Sequence, residues 1–95
     1  MSTRHLRNIS IAQYEAFLEL AKCKFMKNEK GHAKYTRADL NRPIIFQNHV
    51  DPVPEFIIKN ALRSMCLTKK DFWDILECKS EVQRKGSKYK LVKVK

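Results

Sequence analysis

The hydrophobic pattern of this chain changes period at Cys23, and that change constrains the fold more than any other feature. Before it, Ile11, Tyr14, Phe17, Leu18 and Ala21 recur at the spacing of one helix face. Ser10 is suited to cap that face, so the spacing predicts a helix over residues 10 to 22. After it, Cys23, Phe25 and Lys27 alternate with Lys24, Met26 and Asn28, the two-residue period of a strand. The pair Lys30-Gly31 then offers a turn, and His32 to Arg37 a second extended stretch, which together make a hairpin.

The rest of the chain continues in short elements. Ile44, Ile45 and Phe46 form a β-branched and aromatic run suited to a third strand ending near Asn48, with Pro43 tolerable at its start. Pro54 fits the first turn of a second helix, and Glu55 complements the positive end of its dipole. Ile57, Ile58, Ala61, Leu62 and Met65 share one face of it, leaving Lys59, Asn60 and Arg63 to solvent. Thr68 and Asp71 have the spacing of a capping box for a third helix ending near Cys78, with Phe72, Ile75 and Leu76 turned inward.

The fold class expected is α+β, in the order α-β-β-β-α, with a three-stranded antiparallel sheet over residues 23 to 47 packed on helices. A further helix and a basic tail follow. Residues 1–78 form the domain and 79–95 the tail, whose RKGSK and YKLVKVK segments suit either a hairpin or an unstructured arm.

Charge narrows the partners. Twenty Lys and Arg against ten Asp and Glu, with a pI near 9.8, favour a polyanion, foremost nucleic acid. From Lys79 to Lys95 the tail holds seven basic residues and one acid, Glu81. No apolar run is long enough to cross a membrane and the N-terminus lacks the apolar core of a signal peptide, so a cytoplasmic protein without a membrane partner is expected. Cys23, Cys66 and Cys78 are widely spaced, without a metal-ligand pattern, and read as buried, reduced thiols. No cofactor or metal is called for.

His32 stands beside the Lys30-Gly31 turn with Lys27, Lys34 and Arg37 nearby, a setting in which cations attract phosphates without regard to base sequence. Tyr35 could stack on a base or pack in the core. His49 reads as a capping or core-edge histidine, and His5 carries no argument. Phe72 and Trp73 are adjacent and point about 100° apart on a helix, so one of them is a candidate for an exposed partner surface.

Over roughly residues 10 to 77, the helix, then Gly31-His32-Ala33-Lys34-Tyr35, then Ile44-Ile45-Phe46-Gln47-Asn48-His49, then VPEFIIKNALRSM and LTKKDFWDIL, together resemble the HicA family. These are small toxins of type II toxin–antitoxin modules, with a fold like a compact double-stranded-RNA-binding domain. Lys30-Gly31 stands where that family has Gly-Ser, and Gln47 where it commonly has Pro. The resemblance implies a messenger-RNA interferase, a hydrolase restrained by a HicB-type antitoxin; with no carboxylate cluster or zinc-ligand spacing beside His32, a metal-independent reaction is the simpler expectation. His32 would be the catalytic acid or base, and Lys27, Lys30, Gly31, Lys34, Tyr35 and Arg37 would contact RNA. Histidine ordinarily titrates near about 6.5, and such a group contributes roughly 10² to 10⁴ in rate.

Two other classes compete. The helices from Pro54 to Met65 and Thr68 to Glu77, followed by a hairpin from Ser80, have the order of a helix-turn-helix with a wing, which would bind DNA without catalysis. A small basic module docking on an acidic protein is the third.

Overall fold

The computed structural model describes residues 6 to 86 and 88 to 94; His5 lies outside the described residues. The elements in order are α1 (Ile11–Leu20), β1 (Lys24–Glu29), β2 (His32–Thr36), β3 (Ile44–Gln47), α2 (Glu55–Ser64), α3 (Lys69–Leu76), β4 (Ser80–Lys85) and β5 (Lys88–Lys93). The fold is α+β, with a three-stranded antiparallel sheet ordered β1-β2-β3 and a separate antiparallel pair β4-β5.

Local chemistry explains where the helices begin and end. Ser10 caps α1 in a reciprocal box with Gln13, and Thr68 caps α3 in one with Asp71, so orphan amides at both starts are satisfied. The Asp51 carboxylate adds a third acceptor, taking the amide of Ile11 at 3.2 Å. All three helices close alike. Lys22, Cys66 and Cys78 take left-handed φ values of 69°, 58° and 60° just past the helix, and the next amide reaches back to Leu18, Leu62 and Asp74 respectively. Glycine usually fills such positions; in this chain none of the three is glycine.

That geometry corrects the expectation for the thiols. Cys23 is buried, but Cys66 and Cys78 are exposed, because a residue in the closing turn of a surface helix projects away from the core. Burial pushes the Cys23 thiol up to about 11.

The core joins the inner face of the sheet to the helices. Tyr14 of α1 meets Phe46 of β3 edge to face at 4.9 Å, and Phe17 meets Phe72 of α3 at 4.6 Å. Of the adjacent aromatics in α3, Phe72 is fully buried, and Trp73 is half-buried against the same cluster, so neither is the exposed anchor considered above. The large exposed side chains lie elsewhere, with Phe56 of α2 and Phe25 and Met26 of β1 among them.

The basic tail folds as a hairpin rather than an arm. Ser80 and Val82 are buried, and Val82 belongs to the same cluster as Phe17 and Phe46. Tyr89 of β5 lies under the Arg37 guanidinium at 4.3 Å. No helix among the described residues is long and apolar enough to cross a membrane.

Candidate nucleic-acid interface

The Lys30-Gly31 turn fixes the geometry of the sheet. Glu29 and His32 pair directly, leaving a two-residue loop, and both loop residues have positive φ, 51° and 79°. This is the primed turn whose twist matches a β-hairpin. From that register the faces follow. In β2, Ala33 and Tyr35 point inward, as does Arg37 just beyond the strand, while His32, Lys34 and Thr36 point outward. Their cross-strand partners share each face, so Lys24, Lys27 and Glu29 of β1 and Ile45 and Gln47 of β3 join His32 and Lys34 on the outer side.

That outer face carries three lysines, Lys24, Lys27 and Lys34, against one acid, Glu29. A bulge between Phe25 and Lys27 resets β1 so that Lys27 faces Lys34, and Glu29 sits between them. Its carboxylate accepts from Lys27 at 3.0 Å and Lys34 at 3.3 Å, and those hydrogen bonds hold its pKa below the usual carboxylate value. Glu29 thus stays ionised and orients both ammonium groups beside His32. Lys24 makes no ion pair among the described residues.

The end of the sheet at His32 is clamped. The Asn48 amide donates to the Gly31 carbonyl at 2.9 Å, and the Asn48 side chain donates to Asn28 at 3.0 Å. The His49 ring stands directly against Gly31. Two imidazoles therefore border one turn, an arrangement that strand order, not local sequence, produces.

Of the residues expected to touch RNA, the structure places Lys27 and Lys34 on the face of His32, with Lys30 and Gly31 in the adjoining turn. Tyr35 and Arg37 are not available to a ligand. Tyr35 is 3% exposed, and its hydroxyl donates to Glu15 at 3.2 Å; burial, with Glu15 beside it, pushes its pKa up to about 12. Arg37 is 5% exposed, doubly bonded to Asp39 at 2.6 and 2.9 Å, and donates to the Ala21 carbonyl at 2.9 Å. Tyr35 lies on the inner side of β2 and Arg37, the next residue beyond the strand, continues that side, which removes both from the site.

The features not singled out for the site are Glu29, Lys24 and Asn48; His49, read as a capping or core-edge histidine, is exposed with its ring against Gly31. The hairpin register could have found the first two, since a two-residue loop at Lys30-Gly31 forces Glu29 opposite His32. A surface cleft of about 490 Å³ lies between the segment before β3 and α2, and its one carboxylate, Asp39, is committed to Arg37. Among the described residues no three His, Cys, Asp or Glu side chains gather as a metal site would require.

Comparison with known proteins leaves the reading on the site itself: no family model, no curated protein and no solved structure matches this chain.

Proposed function

We propose that the chain is a HicA-like ribonuclease that binds RNA on the outer face of its three-stranded sheet and uses His32 for proton transfer. The observation that carries the reading is a strand-held imidazole on the same sheet face as two ammonium groups oriented by Glu29. His32 lies on the central strand, paired to Glu29 and Gln47, with Lys27 and Lys34 fixed by Glu29 on the same face. Lysines in this position attract and place the phosphodiester, and an imidazole beside it can take a proton from the attacking oxygen or give one to the leaving oxygen. The resemblance adds a HicB-type antitoxin as the protein that covers this face, and the exposed Ile45 gives such a partner an apolar contact.

The DNA-binding reading has one observation in its favour, the succession α2, α3 and the β4-β5 hairpin. Charge argues against it. Helix α3 would have to enter the groove, yet Lys69 and Lys70 are balanced there by Asp71 and Asp74, and Lys70 is paired to Asp74 at 3.2 Å.

The test is incubation of the purified chain with a mixed RNA and with duplex DNA, in excess chelator. Cleavage of the RNA supports the proposal, whereas an intact RNA together with sequence-specific duplex binding supports the regulator.

A further inference from the structure

Where α1 ends at the left-handed Lys22, the chain turns into β1, and the β4-β5 hairpin comes to rest against that turn. Lys22, Cys23, Lys24, Arg84 and Tyr89 line a surface cleft of about 300 Å³. Three of these five residues are cations and none is an acid. Lys22 and Lys24 make no ion pair among the described residues, and Arg84 gives only its Nε hydrogen to a neutral partner, the Gly86 carbonyl at 2.9 Å. Four guanidinium hydrogens of Arg84 remain to be used.

The exposed side chains of Lys22, Lys24 and Arg84 project from backbone that packing and pairing hold in place. Tyr89 is fixed by the buried Arg37 guanidinium at 4.3 Å, and Arg84 approaches the same ring at 6.0 Å. Arg37 is in turn locked by Asp39 and by the carbonyl that closes α1. The closing turn of α1 fixes where Lys22 leaves the helix, and the pairing of Lys24 with Thr36 fixes the start of β1. Like charges gathered in one cleft repel unless an anion joins them.

We propose that this cleft binds a backbone phosphate of the same RNA strand that crosses the outer face of the sheet, several nucleotides from the bond at His32. The inference rests on the reading of that face as an RNA surface and adds a second contact to it. Lys24 opens β1 and Glu29, opposite His32, closes it, so the two points are about 17 Å apart along the strand. Lys27 and Lys34 lie between them and continue the positive path. The chain would then favour RNA long enough to reach both points over a dinucleotide that reaches only one.

The experiment is a binding and cleavage series on single-stranded RNAs of increasing length, with wild type and the variants Lys22→Gln, Arg84→Gln and the double variant, each checked by thermal melting. For long RNA the double variant should lose about tenfold in affinity, and its salt slope should shrink by about 1.4. For a dinucleotide the loss should be far smaller, with KM rather than kcat carrying the difference on long substrates. Equal losses at every length, or none at any length, would overturn the proposal, as would retained RNA binding with lost binding to an acidic peptide. If wild type binds RNA but does not cut it, the length-dependent loss in binding supports the cleft while removing the chemistry assigned to His32. A wild type that binds no RNA removes both. Lys22→Gln alters an exposed residue and keeps the test open if the Arg84 variant fails to fold.

Discussion

A Cβ on Gly31 would press against the imidazole of His49. A Cβ built at Gly31 would lie 3.2 Å from both Cε1 and Nδ1 of His49, and the φ of +79° at Gly31 is itself a conformation that L residues rarely take. Glycine is favoured there by the φ of the turn, and a Cβ would in addition make the exposed His49 ring give by a few tenths of an ångström. Gly31→Ala should therefore cost about 1 to 3 kcal/mol, lowering Tm by several degrees. In a Gly31→Ala, His49→Ala double variant the steric part should be recovered and the φ part should remain. Melting curves of the two variants check this, and an unchanged Tm for Gly31→Ala would show that the turn is built otherwise.

Arg37 joins three parts of the fold: the carbonyl of Ala21 just past α1, Asp39 after β2, and Tyr89 of the tail hairpin. Removing it strands a partly buried carboxylate and an unsatisfied carbonyl. Arg37→Ala should destabilise by about 2 to 4 kcal/mol, and Arg37→Lys should recover little, since a single ammonium cannot replace a planar fork. Chemical denaturation measures both. Loss of RNA binding without loss of stability would contradict the structural role.

The tail cannot be cut away as a dispensable charge. Ser80 and Val82 are buried and Tyr89 stacks under Arg37, so truncation after Lys79 opens the core. Burying a valine side chain alone is worth about 1.5 to 3 kcal/mol, a large share of the stability of a domain this small. Truncated protein should melt at least 10 °C lower or fail to fold. A truncated chain with the full-length Tm would show that the hairpin does not share the core.

Cysteine chemistry offers a check on the helix ends. Cys66 and Cys78 are exposed, whereas Cys23 is buried with a thiol pushed up to about 11. Because the thiolate is the nucleophile, a thiol reagent at neutral pH should modify two cysteines in the native protein and all three in denaturant. Mass spectrometry of the products identifies the sites. Rapid native labelling of Cys23 would contradict the packing described.

Much of this architecture was legible from local patterns, but the alternation expected in β1 is not realised: a bulge between Phe25 and Lys27 puts Lys27 on the face of Lys24, and Phe25 and Met26 are both exposed. The period change at Cys23 separates α1 from β1, and the Thr68 and Asp71 spacing gives the capping box at α3. Sidedness was harder. Alternation states that His32 and Tyr35 lie on opposite faces, but which face is covered depends on Tyr14 and Phe46, which are distant in sequence. Arg37 reads as a surface cation until Asp39 and the Ala21 carbonyl are brought to it. Cys66 and Cys78 followed the general preference of cysteine for burial in expectation, and the left-handed helix ends overrode it. The tail hairpin is amphipathic only weakly, and its inner residues gain meaning from α3 and Arg37, which pack against it.

The central claim is that His32 transfers a proton, and one comparison tests it most directly: RNA cleavage by wild type and by His32→Ala, in chelator, with a melting curve and a binding titration for each. The variant should lose about 10² to 10⁴ in cleavage rate, the range expected of a single acid or base, while keeping its Tm and its RNA affinity. Undiminished cleavage by His32→Ala would contradict the account, and so would a loss of cleavage that appears only together with a loss of fold.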